Sequence, residues 1–182
     1  MNDKYFENWV IQTARTLDDI SGVIKMVGIK FVDEDHLQLA EYLTEINRLI
    51  LELEKNETSL ILLKKQEGVL KKINEYAIAH FAREEKMIAK YGLTNGKEQK
   101  EQHSKILKEL REILENLKSG NISVNSDLKS YLLEWLVNHI NKYDYIGYKT
   151  ENWKDQLISC KSLKDVEILF KKSGIEGIDL IT

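Results

Sequence analysis

The chain has no proline, one cysteine (Cys160) and nine glycines in 182 residues. A single cysteine excludes an internal disulfide and fits a reducing compartment. With 31% charged and 42% hydrophobic residues, this is the composition of a soluble helical protein, not of a sandwich or a disordered tail. No apolar run is longer than a few residues, far short of a bilayer span. No basic block stands out and the net charge is −3, which argues against a nucleic-acid partner. The first residues, Met1 to Glu7, lack the charged-then-apolar layout of a secretion signal, so a cytoplasmic protein is expected. The length suits one domain with appendages, large enough to bury a core without staples.

What the chain does have is helical periodicity. A first helix is expected over about 4–21, with Phe6, Trp9, Thr13, Leu17 and Ile20 along one face. Asp33 reads as the N-cap of a second helix running to about Lys55, striped by His36, Leu39, Leu43, Ile46, Ile50 and Leu53. A third, over about 58–91, carries Leu70, Ile73, Ala77, His80, Glu84 and Met87. The fourth presents Gln99, His103, Ile106 and Leu110 and stops at Ser119-Gly120. A fifth begins near Asn125 or Ser126 and carries Leu128, Leu132, Trp135 and His139. A short last helix is expected over about 163–172. Steps of three and four with short loops predict an all-α, up-down-up-down four-helix bundle, plus an N-terminal helix and a short C-terminal one.

Histidine is scarce too, with four in all, and each falls on the apolar stripe of a different bundle helix. A buried imidazole is costly unless it is hydrogen-bonded or holds a metal, and a buried glutamate such as Glu84 costs more. His80 and Glu84, four apart, lie about 40° around a helix and roughly 6 Å along it. Each of these residues alone has an ordinary structural explanation. Metal coordination removes all the costs together. Asp144, five after His139, lies about 140° away on a regular helix, where Tyr143 would face inward instead. Both His139 and Asp144 can face the core only if the helix end is locally overwound, underwound or bulged.

These residues together resemble the hemerythrin family. Its pattern is a histidine after an Asp-rich helix start, then His-x3-Glu, His-x3-His and His-x4-Asp. Val27 to His36, His80 to Met87 and Trp135 to Asp144 are similar to three of these motifs, and the resemblance covers about 27–148. It implies two iron ions bridged by Glu84, Asp144 and an oxo or hydroxo group. His36 and His80 would hold the iron with a position open for dioxygen, and His103 and His139 the other. The departure is Gln99, which stands where His-x3-His requires another histidine. A neutral amide is a weak ligand, so the second iron is expected to be held less tightly. Leu39, Ile46, Phe81, Met87 and Leu110 are candidates for a dry pocket around the site.

The resemblance implies a non-heme di-iron protein that binds dioxygen as carrier, store or oxygen and redox sensor, without enzymatic turnover. Nitric oxide and peroxide are alternative small ligands. The competing classes are a di-iron oxidase or peroxidase-like enzyme and an interaction bundle with a degenerate metal site. Di-iron oxidases usually draw on paired Glu-x-x-His motifs, which the core stripes lack. Segments 1–26 and 149–182 are expected to cover bundle surface, pair two copies or meet a protein partner. Cys160 reads as an incidental thiol.

Overall fold

The computed structural model describes residues 11, 13–55, 59–91, 95–149, 160, 164–165 and 168. Among them there is no strand. The helices are α1 (Leu17–Ser21), α2 (Lys30–Lys55), α3 (Leu60–Tyr91), α4 (Gly96–Lys118) and α5 (Ser126–His139). A π turn (Ile140–Asp144) follows and leads directly into α6 (Tyr145–Lys149). Long α2 packs on both α3 and α5, and α3 packs on α4. The fold is thus all-α and built as a helical bundle.

The expected apolar stripes form the core. Leu39, Leu43 and Ile46 of α2, Leu70 and Ile73 of α3, Ile106 and Leu110 of α4 and Leu132 and Leu136 of α5 are all buried in one cluster. Burying each such side chain contributes roughly 1.5–3 kcal/mol. The outer faces carry charged pairs one turn apart, such as Arg48–Glu52 and Lys105–Glu109. Gly120, at φ 74°, provides the left-handed stop after α4, and the Asn125 side chain caps α5 by accepting from Leu128 N.

Two helix starts differ from the sequence reading. The first helix is not continuous to 21, because Thr16 is extended and begins α1 through a capping box with Asp19. Its hydroxyl accepts from Asp19 N while the Asp19 carboxylate accepts from Thr16 N, which ends one helix and starts another. Asp33 is not an N-cap, since α2 already starts at Lys30. Its carboxylate accepts instead from Val27 N and Gly28 N, folding the entry strap back onto the helix. Phe6, Trp9 and most of the expected last helix lie outside the described residues.

Candidate metal centre

The four histidines come from four different helices and meet in one layer. His36 of α2, His80 and Glu84 of α3, His103 of α4, His139 of α5 and Asp144 of the π turn are all at most 2% exposed. Two clusters result, His36–His80–Glu84 and Glu84–His103–His139–Asp144, which share Glu84. His36 Nε2 is 3.3 Å from Asp144 Oδ2, and His139 Nε2 is 3.3 Å from Asp144 Oδ1. His80 Nε2 and His103 Nε2 lie 3.5 and 3.3 Å from Glu84 Oε2. Each carboxylate therefore faces histidines of both clusters.

The local unwinding that Asp144 requires takes the form of a π turn. Tyr145 N donates to Ile140 O, five residues back, and this wider turn lets His139 and Asp144 point inward together. Tyr143, the residue a regular helix would have presented, stacks beside the His139 ring at 5.7 Å.

A second layer sets the imidazoles. Asp35 lies against His80 Nδ1 at 3.1 Å and accepts from Tyr76 Oη at 2.6 Å and from both Nε and Nη2 of Arg83. A carboxylate only accepts, so His80 carries its proton on Nδ1 and turns the Nε2 lone pair into the site. Glu85 does the same for His103, Nδ1 to Oε1 3.2 Å. Phe81 stacks flat on His103 at 4.0 Å, and Trp135 stacks on His139 at 4.9 Å.

The inward-facing atoms are mostly acceptors. His103 Nε2 and His139 Nε2 are 3.1 Å apart. His36 Nε2, Glu84 Oε2, Asp144 Oδ2 and Gln99 Oε1 are buried without a hydrogen-bond partner. Such lone pairs repel unless a cation or a proton lies between them. Two ligand atoms about 2.1 Å from one ion and at right angles to each other sit about 3.0 Å apart, close to the spacings here. The residues present therefore fit a metal pair.

Protonation follows the same arrangement. Burial lowers His36 and, more strongly, His139, with the His103 charge adding to the effect on His139, so both stay neutral and able to ligate. Burial raises Asp144 well above the usual carboxylate range, and the neighbouring Glu84 charge raises it further. Burial would also raise Glu84, but the facing His80, His103 and His36 hold it below that range.

Gln99 is fully buried beside the ligands and donates from Nε2 to Asp144 Oδ1 at 3.2 Å. Glu98 and Glu101 are exposed and take no part. Of the candidate pocket residues, Leu39 and Leu110 line an apolar cavity of about 20 Å³, while Phe81, Ile46 and Met87 are buried without lining it. That cavity lies one helical turn from every histidine, through Leu39 and Ile106 after His36 and His103 and Ala77 and Leu136 before His80 and His139. The alternating sign of these offsets shows that the four helices alternate in direction.

Sequence reasoning missed Asp35, Tyr76, Arg83, Glu85 and Tyr148. Buried Tyr148 donates to Glu84 Oε1 at 3.2 Å, and burial with the Glu84 and Asp144 charges raises its hydroxyl well above the usual value. Its signal was available, since it follows Asp144 by one turn. Asp35 and Arg83 adjoin His36 and Glu84 in the sequence, but only cross-helix pairing reveals their role.

The hemerythrin HHE cation binding domain matches residues 27–148, spanning all six ligand candidates and Gln99. Bacteriohemerythrin of Methylococcus capsulatus (strain ATCC 33009 / NCIMB 11132 / Bath) is 31% identical over 70 residues, 38% of this chain and 53% of that protein. The chain thus matches about half the length of that relative. No solved structure matches. With the motif spacings, the shared Glu84 and a domain match over most of its length, the chain belongs to the hemerythrin HHE cation-binding family.

Proposed function

We propose that this protein binds dioxygen at a non-heme di-iron centre, as carrier, store or sensor rather than as an enzyme, and acts in the cytoplasm. The observation that carries this reading is the buried, acceptor-rich layer in which Glu84 belongs to both candidate ligand clusters. His36 and His80 would hold one iron and His103 and His139 the other, with Glu84 and Asp144 shared between them. Imidazole nitrogen and carboxylate oxygen suit iron. Two irons, when bound, supply the electrons for reversible dioxygen binding.

The chain's own residues prepare the place. Asp35 and Glu85 fix the imidazole tautomers, and Phe81 and Trp135 cover two of the rings against water. The cavity below has almost no polar lining and is barely larger than one water, so it suits a small apolar gas better than water. Gln99 offers its unpartnered amide oxygen where the family has a histidine, a neutral donor that holds the second iron less tightly. Residues 27–148 would form the functional unit, with 1–26 and 149–182 as extensions that cover it or pair with a second protein.

Anaerobic loading with iron(II), metal analysis and visible spectra before and after air test this reading. Two irons per chain and an absorption that bleaches reversibly on deoxygenation are expected. Turnover of a reductant with oxygen or peroxide would replace it with an oxidase or peroxidase. A chain that takes up no iron would leave an interaction bundle.

A further inference from the structure

We propose that Asn95, Gln99 and Asn141 are positioning residues that hold the π turn, and with it Asp144, in ligand-ready geometry before any metal arrives. The importance of Asp144 rests on the di-iron reading; the clamp itself is a property of the metal-free chain.

A π turn is rare because a regular α-helix makes better backbone bonds, so one that persists has to be held. Asn95 is the N-cap residue of α4, a position where asparagine normally bonds to its own helix. Here its side chain makes no capping bond. Nδ2 instead donates across to Tyr143 O at 2.8 Å, inside the π turn. One turn further along α4, Gln99 Nε2 donates to Asp144 Oδ1 at 3.2 Å. The two carboxamides thus grip consecutive residues of the turn, one by its backbone and one by its carboxylate.

Asn141 grips from within the turn itself. Its Oδ1 accepts from Lys25 N at 2.8 Å, and its Nδ2 donates to Val23 O at 2.9 Å. The strap before α2 is thereby pinned to the π turn by two bonds across 116 and 118 residues of sequence. Gly147 shows how closely the helix after the turn is seated on α4. A Cβ there would come within 2.5 Å of Asn95 Oδ1 and 3.0 Å of Gln99 Nε2. Alanine at 147 would have to push both carboxamides away.

Hydrogen exchange on the full-length, metal-free chain tests the clamp for wild type, Asn95→Ala, Asn141→Ala and Gly147→Ala. Losing a grip should speed exchange of the 144–148 amides about tenfold while the α3 amides stay unchanged. The same variants, loaded with iron(II), should lose iron to a chelator about tenfold faster than wild type. Gly147→Ala is the discriminating case, because alanine favours the helix and any loss of iron then reflects displaced carboxamides rather than a weaker fold. Wild-type exchange in Asn95→Ala and Gly147→Ala overturns the clamp. Faster exchange with unchanged iron retention overturns its positioning role. A wild type that takes up no iron sinks the di-iron reading, while the exchange result still decides the clamp.

Discussion

Replacing Asp35 with asparagine should cost both stability and metal. In the wild type, buried Asp35 meets four donors: Tyr76 Oη, His80 Nδ1, Arg83 Nε and Arg83 Nη2. Arg83 is itself only 6% exposed, so its guanidinium cannot turn to water. Three of the four converge on Oδ2, so an asparagine with its oxygen there offers them a neutral acceptor and turns its amide nitrogen on Tyr76 Oη, donor to donor. Losing the Tyr76 bond costs about 1–3 kcal/mol. The unpaired Arg83 charge brings the expected loss to roughly 3–5 kcal/mol. His80 also exchanges a carboxylate for a weaker, neutral acceptor, which should weaken iron binding about 10- to 100-fold.

Urea unfolding of the metal-free protein reads the first effect, and competition with a chelator reads the second. The pH dependence gives an independent check. Burial would raise Asp35, but His80, Arg83 and Tyr76 outweigh it and hold the folded carboxyl below its ordinary 3.8. A depressed acid stabilises the fold fully above its unfolded value and loses that contribution as pH falls through the folded one. The gap between wild type and Asp35→Asn should therefore be complete above pH 3.8 and close below it. A loss under about 1 kcal/mol, the size of one ordinary hydrogen bond, with unchanged iron retention would refute the hub.

Gln99→His should slow chelator removal of the second iron by about tenfold or more, because the added nitrogen ligand outweighs the lost grip on Asp144; removal no slower than in wild type would show that it does not. Lys129 is only 4% exposed, with Nζ 3.4 Å from Ile11 O, and burial lowers its ammonium below the ordinary 10.5. The unfolded chain then holds the proton more firmly, so this group's contribution to stability should grow as pH rises through the folded value towards 10.5. Lys129→Met should abolish that alkaline gain and raise Tm near neutral pH by about 2–4 °C, read by thermal melts across pH. A Tm that falls instead would show that the contact with Ile11 outweighs the cost of burial.

The sequence by itself determined the bundle and the ladder of inward-facing histidines. Stripes of Leu39-Leu43-Ile46 type and a histidine on each of four of them are local patterns, because a 3.6-residue repeat decides which side chains share a face. It also determined that the helix after His139 must deviate, since a regular one cannot turn both His139 and Asp144 inward. Only the tertiary structure decided how. The π turn is stabilised by Asn95 and by the strap at Asn141, partners far away in the sequence. Asp33 left its expected cap for a local reason, because backbone donors at Val27 and Gly28 reach its carboxylate. Asp35, Arg83 and Tyr148 acquire their roles by meeting across helices, and no spacing along one helix encodes that. A side chain's periodicity fixes the face it shares, and packing then fixes the atom it meets.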